Sequence, residues 1–310
     1  MSKKRILTFV GLLVIVALLV SCGGGTKKLD LKLRLEPGKS YGAKMIADQT
    51  ITQTLMGQTQ TITQSIGMGY TYQVQSVDPD GSMWVKITYD WVSYKQDSPM
   101  GKVSYDSANP PATVPEAAIG YAALVGRGFS AKITPTGEMT DVRGADQMVA
   151  EILGAMNLPA GSARDQVEAL LRTQLSDEAL KDSFEKAALF YPDKPIAVGD
   201  SWSGQIALAS GMPMILDTTW TLKARKNSVA TVETRSDARP NPGAKPLELA
   251  GMSISYELSG VQSGSMDLDE KTGWLLGGTL KQDVSGKVSA MGTSWPITIV
   301  SNIRFEPWQK

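Results

Sequence analysis

The sequence contains no histidine, and this absence excludes more chemistry than any motif in the chain suggests. Catalytic triads of the Ser-His-Asp or Cys-His kind need an imidazole, as do the common zinc, copper and non-haem iron sites. General acid–base catalysis would depend on Asp, Glu, Lys or Tyr side chains with shifted pKa values. We therefore expect a protein that is not an enzyme and that holds neither a metal nor a cofactor.

The chain also contains very little cysteine and has no net charge. Cys22 is the only cysteine among 310 residues, so no disulfide can form within the chain. The 31 basic residues balance 31 acidic ones, and loss of Lys3, Lys4 and Arg5 with an N-terminal signal would leave a net charge of −3. A nucleic-acid-binding protein needs a basic face. The composition therefore predicts no nucleic-acid partner.

The N-terminus has the parts of an export signal. Three cations, Lys3 to Arg5, precede an apolar run over residues 6–20, which falls short of the ~20 residues of a membrane-spanning helix. The run ends in Leu19-Val20-Ser21-Cys22, which resembles the lipobox of bacterial lipoproteins. That resemblance implies that residues 1–21 are a signal peptide, that the Ser21–Cys22 bond is cleaved, and that Cys22 carries a diacylglycerol. An ordinary secretory signal and a permanent membrane helix are the alternatives.

Residues 22–28 predict a flexible tether between lipid and folded domain, because three glycines and two lysines follow the cysteine. In the Gram-negative lipoproteins that this segment resembles, an aspartate after the cysteine retains the protein in the inner membrane. Gly23 occupies that position here. We therefore expect a lipid anchor on Cys22 in the cell envelope, at the periplasmic face of the outer membrane if the cell has one.

A first β unit is predicted over residues 29–142. Leucines at every second position of 29–35 indicate a strand with one buried face. Two long polar strands are predicted to turn near Met56-Gly57-Gln58, with a disordered linker as the alternative. Asp78-Pro79-Asp80-Gly81 predicts a hairpin turn, and the next strand should bury Met83, Val85, Ile87, Tyr89 and Trp91. Residues 95–115, which hold four prolines, predict a long loop.

A helical insert is predicted over residues 143–190. Met148, Val149, Ile152 and Leu153 recur at helical spacing. Ser162 and the segment Ser176-Asp177-Glu178 are expected to cap two further helices. Apolar stripes of this kind usually belong to the core, so we expect the insert to pack against β-sheet.

A second β unit is predicted over residues 191–310, with a Pro-rich loop at 236–251. Gly38-Lys39-Ser40-Tyr41 and Gly199-Asp200-Ser201-Trp202 both place Gly-x-Ser-aromatic before a strand. This similarity indicates a diverged tandem duplication. The predicted fold class is α+β, mainly antiparallel β, with two related half-barrel units and a helical insert. The later strands are predicted at 218–226, 228–235, 252–261, 263–269, 273–285 and 294–305.

The run from Tyr191 to Trp202, Tyr-Pro-Asp-Lys-Pro-Ile-Ala-Val-Gly-Asp-Ser-Trp, is the sharpest family motif in the chain. Together with the lipobox and the helical insert, it resembles a family of bacterial envelope lipoproteins of unknown function. The predicted architecture is also similar to the half-barrels of periplasmic lipoprotein carriers. That second likeness is one of architecture and implies no functional residue.

Three polar clusters are superficially similar to known sites. Ser201 follows Gly199-Asp200 as in some esterases, but no histidine is present to activate it, and a turn leading into a strand explains the motif. Asp217-Thr218-Thr219 is close to the aspartic-protease triplet but lacks its glycine. Asp267, Asp269 and Glu270 could surround Ca²⁺, yet they lack the spacing of a calcium loop, and a hairpin turn accounts for them.

Methionine is the remaining candidate feature. Met212-Pro213-Met214-Ile215 could form a mobile apolar lip over a cavity, because methionine adapts to varied surfaces. Filling of the core is the alternative, and we favour it.

These observations predict a lipid-anchored envelope protein that acts as a non-enzymatic binding module. Its partner would be an apolar ligand or a hydrophobic segment of an envelope protein, held between the sheet and the helices. The alternative is a structural or assembly scaffold that works through protein–protein contacts. The sequence itself identifies no ligand-binding residue.

Overall fold

A computed structural model describes residues 28–55, 57–185, 191–208, 213–244, 246–249 and 252–308. The predicted signal peptide, the lipidation site at Cys22 and all of the tether except Lys28 lie outside these residues, as does Met212.

Thirteen strands and four α-helices make up the described parts of the chain. The strands are β1 (Ser40–Leu55), β2 (Gln58–Val77), β3 (Met83–Ser98), β4 (Gly101–Asp106), β5 (Gly128–Ile133), β6 (Met139–Arg143), β7 (Ser201–Leu208), β8 (Met214–Lys226), β9 (Val229–Pro240), β10 (Leu247–Leu249), β11 (Met252–Asp269), β12 (Leu275–Ala290) and β13 (Thr293–Pro307). The helices are α1 (Ile119–Ala122), α2 (Ala145–Met156), α3 (Ser162–Leu175) and α4 (Asp177–Glu185).

All thirteen strands belong to one antiparallel sheet, with the order β6-β5-β3-β2-β1-β13-β12-β11-β9-β8-β7. β4 pairs with β3, and β10 pairs with β11. The predicted class, mainly antiparallel β with few helices, is confirmed. The two predicted β units share this single sheet, because β1 pairs with β13 along 43–53 and 297–307. They therefore form one continuous sheet instead of two separate half-barrels.

The predicted hairpins at positions 56–58 and 78–81 are both present. Asp80 Oδ1 accepts a hydrogen bond of 2.9 Å from the Ser82 amide, and Gly81 has a φ of 84° that favours glycine.

The loop predicted over 95–115 is wrong in its first half. β3 continues to Ser98, and β4 returns along it after a tight turn at residues 99–100. In the second unit, predicted strands 252–261 and 263–269 are one strand, β11, and β9 continues to Pro240 into the predicted loop.

A β-bulge changes which side of β3 is buried. Gly69 pairs with Trp91 and Tyr70 pairs with Tyr89, so Asp90 is the extra residue. Beyond the bulge the alternation is inverted, and Val92 is fully buried in place of Trp91. The predicted inward position of Trp91 is therefore wrong.

The leucine segment, residues 29–35, is buried at alternate positions as predicted but is not one of the sheet's strands. Its backbone binds loops from three parts of the chain. Leu29 and Ile196 exchange hydrogen bonds of 2.7 and 2.9 Å, Leu33 donates to Pro135, and Arg34 donates to Thr272. The segment therefore closes one end of the sheet, which we call the lower end.

The lower cluster packs around the leucine segment. It combines buried side chains of β3, β5 and β6 with those of β8 and β9, near opposite ends of the strand order. In a flat sheet β3 and β8 would lie roughly 30 Å apart at the usual strand spacing. The sheet therefore curls around its contents, and the face that is turned inward is called the inner face.

The three longer helices pack onto the lower cluster. α2 buries Met148, Val149, Ile152 and Leu153 as predicted. Asp177 Oδ1 accepts a hydrogen bond of 2.7 Å from the Ala145 amide at the start of α2. Ser176 caps α4 through the Ala179 amide at 3.1 Å, as predicted. Ser162 lies inside α3 and makes no capping hydrogen bond, so its predicted role is wrong. None of the helices in the described ranges is long and apolar enough to span a membrane.

Candidate functional site

A row of uncharged polar side chains crosses the inner face at mid-height, and we call it the glutamine ladder. Its members are direct neighbours on consecutive strands from β3 to β8. No sequence motif marks it, because its residues come from eight distant segments. In spatial order the ladder consists of Gln96, Gln64, Gln49, Ser301, Gln282, Gln262, Ser236 and Thr218.

Hydrogen bonds connect much of the ladder. Gln64 Nε2 donates to Gln49 Oε1 at 2.5 Å, and Gln49 Nε2 donates to Ser301 Oγ at 3.1 Å. On the other side Gln282 Nε2 donates to Gln262 Oε1 at 3.4 Å. The hydroxyls of Thr218 and Ser236 lie 2.8 Å apart. These bonds satisfy polar groups that would otherwise be costly inside the curled sheet.

The ladder separates the lower cluster from a second apolar group, the upper cluster. The two clusters use different ends of the same strands: Trp220 and Leu222 of β8 lie below the ladder, whereas Met214 and Leu216 lie above it. The curl continues here, because Gln282 Nε2 on β12 lies 4.0 Å from Met214 Sδ on β8, three strands away. The buried members of the upper cluster are Met214, Leu216, Ala238, Leu258, Val284, Val288, Ile297 and Ile299.

The upper cluster differs from the lower one in what covers it. Every described member comes from a strand, whereas the lower cluster includes helical residues. Six further apolar side chains pack against the upper cluster and remain only half-buried: Ile51, Ile206, Leu208, Ile254, Tyr256 and Trp295. The upper inner face is therefore an apolar surface that the described helices leave partly accessible.

An upper groove adjoins this surface. It encloses about 540 Å³ beside Gln53, Gln60, Ile62 and Gln96 and reaches the β3–β4 turn. Volumes of roughly 300–1,000 Å³ are usual for small-molecule sites. Trp295 of the upper cluster donates a hydrogen bond of 3.3 Å to Gln53 Oε1 on the groove wall. The groove and the upper cluster are thus continuous.

Above the ladder, the charged side chains of the described strands lie on only one face of the sheet. All the register shifts between paired strands lie below it, so side chains alternate regularly from the ladder to the upper rim. Over that stretch the inner positions of the described strands carry no Asp, Glu, Lys or Arg. Burial raises the pKa of Tyr256, so its phenol is neutral at physiological pH. Asp217, Arg239 and Glu257 occupy the opposite face.

The residues that the sequence singled out are not part of this region's lining, except Met214. Ser201 is exposed and its hydroxyl lies 2.8 Å from that of Thr221, in the turn-to-strand setting that the sequence analysis favoured. Asp217 accepts a hydrogen bond of 2.8 Å from Arg239, which lowers the pKa of its carboxyl. Met214 is buried in the upper cluster, so it fills core and forms no lip.

Asp267, Asp269 and Glu270 are held apart by separate partners. Asp267 accepts a hydrogen bond from Thr231 at 2.7 Å, and Asp269 accepts two from Thr272 at 2.7 Å. Arg225 binds Glu270 through two contacts of 2.8 Å, and this pairing lowers the pKa of the Glu270 carboxyl. Throughout the described residues, no group of three acidic side chains is placed to hold a metal ion.

The comparisons with known proteins identify a family. A family model described as a family of unknown function, DUF6263, matches residues 80–275. The chain belongs to this family. No curated protein matches the sequence.

Two solved structures are distantly similar. The first, lipovitellin, described for its lipid–protein interactions, has a TM-score of 0.45 and 13% identity. The match covers 88% of this chain but only 25% of lipovitellin. The second is an outer membrane channel from Pseudomonas putida F1, with a TM-score of 0.25, 8% identity and coverage of 90% and 98% of the two chains.

Proposed function

We propose that this protein is a lipid-anchored envelope module that binds an apolar ligand on its upper inner face and performs no catalysis. The observation that carries the proposal is the upper cluster: half-buried apolar side chains, contributed by strands alone, beside a groove of about 540 Å³. Burial of such surface contributes about 25 cal/mol per Å². A ligand that covers it therefore gains its affinity from the same effect that stabilises the lower cluster.

The position of the apolar surface supports binding over a purely structural role. The lower cluster is filled by the leucine segment and three helices, and many of its side chains are fully buried. Half-buried side chains border both clusters, but those of the upper cluster, such as Ile51 and Trp295, all come from strands. Apolar surface that remains accessible to solvent is characteristic of ligand-binding sites.

The proposal is tested by native mass spectrometry of the full chain, purified gently from its own host and compared with a delipidated sample. We expect a bound mass in the lipid range that extraction removes. Ile51→Lys places a charge on the inner face and should abolish the bound mass. Thr52→Lys, the neighbouring outer position on β1, should retain it.

A clean unliganded mass for the wild-type chain, under conditions that preserve other lipid complexes, would contradict the proposal. Equal retention by both variants would also contradict it. Circular dichroism of the two variants establishes that each is folded before their ligands are compared.

The anchor has a separate test at Cys22, the residue that would carry the lipid. Cells that are fed labelled palmitate should incorporate it into the wild-type protein but not into Cys22→Ala. Incorporation by both would contradict lipidation at Cys22.

A further inference from the structure

The glutamine ladder offers hydrogen-bonding atoms that the protein itself does not use. Gln64 Oε1 and Gln262 Nε2 make no hydrogen bond to any described residue, although the other amide atom of each side chain does. Neither atom is among the fully buried polar atoms that lack a partner in the described chain. Both side chains are half-buried, so these atoms remain accessible to solvent, one as an acceptor and the other as a donor.

The described residues around the space above the ladder offer no unpaired charge to a charged ligand, because Lys102, which borders the upper groove, pairs with Asp97 at 2.7 Å. The inner positions of the described strands carry no acidic or basic side chain from the ladder to the upper rim. β2 has no charged residue at all, and Asp48 of β1 points to the other face. On that face Asp48 already accepts hydrogen bonds from Ser65 at 2.7 Å and Arg304 at 2.7 Å. A charged group that moves into such surroundings loses its hydration and gains no partner, so its binding is weakened.

We infer that the ligand is a neutral amphiphile: one alkyl or acyl chain joined to an uncharged polar group of hydroxyls or esters. The inference rests on the proposed function and names the class of its ligand. The chain lies over the half-buried side chains at the margin of the upper cluster, from Ile51 toward Trp295. The polar group meets the ladder, where Gln64 accepts a hydrogen bond from a hydroxyl and Gln262 donates one to an oxygen.

The ladder also limits how far the ligand reaches. Below it the curled sheet is occupied by the buried side chains of the lower cluster, including Trp220 and Leu31. An apolar chain that crossed the ladder would have to replace its hydrogen bonds and displace packed side chains. The polar group therefore stops at mid-height, and the alkyl chain extends toward the open upper rim.

The test compares three probes with identical alkyl chains: a monoacylglycerol, an alkyl sulfonate and an alkyl trimethylammonium salt. The full chain is held in lipid nanodiscs free of detergent and titrated with each probe, and bound probe is counted by native mass spectrometry. We expect the monoacylglycerol to bind at least about tenfold more tightly than either charged probe. Gln64→Leu should weaken its binding by about three- to tenfold, because one hydrogen bond is lost.

Thr63→Leu is the matched control, since it places the same side chain on the outer face of β2. It should bind all three probes as the wild type does. The inference is overturned if either charged probe binds as tightly as the neutral one, or if Gln64→Leu and Thr63→Leu behave alike, and in both cases the proposed apolar site itself survives. Failure of all three probes to bind would overturn the inference and the proposed function together.

Discussion

Replacing Leu31 by alanine should weaken the fold more than most other substitutions outside the sheet. Leu31 lies within the leucine segment and has no exposed surface. Its neighbours along the segment bind loops at Pro135, Ile196 and Thr272. These hydrogen bonds hold the backbone of the leucine segment in place when the side chain is shortened. The neighbouring residues therefore cannot fill the space, and the substitution creates a cavity.

The expected cost follows from the atoms removed. Leucine exceeds alanine by three carbon atoms, which at ~0.8 kcal/mol each amount to about 2.4 kcal/mol of lost transfer free energy. The residual cavity raises the total to about 3–4 kcal/mol, within the range of about 2–5 kcal/mol seen for buried leucines. With a urea dependence of about 3 kcal/mol per molar for a chain of this size, the unfolding midpoint should fall by about 1 M.

The assay is urea unfolding of residues 22–310, followed by tryptophan fluorescence. Leu276→Ala is the control, because Leu276 is 37% exposed and its loss should cost less than about 1 kcal/mol. Midpoints for Leu31→Ala and Leu276→Ala that coincide, with unchanged slopes, would refute the view that the leucine segment closes the lower end of the sheet.

Three further predictions concern single contacts. Gly286→Ala should destabilise the chain by about 3 kcal/mol in urea unfolding, because its Cβ would lie 1.8 Å from the Glu257 carbonyl oxygen and force β11 and β12 apart. Tyr191→Phe should lower the free energy of unfolding by about 1–3 kcal/mol in the same assay, since the Tyr191 hydroxyl donates to the buried Gly273 carbonyl at 2.9 Å. Hydrogen bonds from two lysines lower the pKa of Glu36 to about 2, so its contacts should be intact above pH 4.5 and lost as the pH falls toward 2. Titration of its carboxyl carbon by NMR measures that midpoint.

A specific result would contradict each of these three predictions. A wild-type midpoint for Gly286→Ala would mean that β11 and β12 separate there without cost. No loss for Tyr191→Phe would mean that the Gly273 carbonyl finds another donor. A Glu36 midpoint near its ordinary value of 4.5 would mean that its contact with Lys271 does not persist in solution.

Local structure in this chain follows from local pattern, and most strands and helices could be predicted for that reason. Alternation of apolar residues marks β2 and β3, and turn residues at 78–81 mark the hairpin between them. The apolar stripe of α2 can likewise be predicted from the helical spacing of its apolar residues alone. These features depend on neighbours within a few residues, which the sequence displays directly.

What could not be predicted depends on distant partners. The alternation of the leucine segment is the same as that of a strand, but its hydrogen bonds go to loops more than 100 residues away. The bulge at Asp90 is one extra residue with no distinctive composition, yet it turns Trp91 outward. Loop contacts and bulges of this kind are determined by pairing between distant segments, and the periodicity of the sequence does not show that pairing.

The glutamine ladder was beyond sequence reasoning for the same reason. Gln49 and Gln282 are unremarkable polar positions in their own strands. They become a row only when β1 pairs with β13 and β13 with β12 in one particular register. A useful signal was nonetheless present: glutamine at inward positions of strands whose other inward residues are apolar.

The central claim, that the upper inner face holds an apolar ligand, is tested most directly by photo-crosslinking. A monoacylglycerol with a diazirine in its alkyl chain is bound to the full chain, irradiated, and the modified peptides are mapped. The account predicts adducts on inner-face residues above the ladder, foremost Ile51, Ile62 and Trp295. Adducts confined to the outer face, or no adducts above the level of a detergent blank, would contradict it.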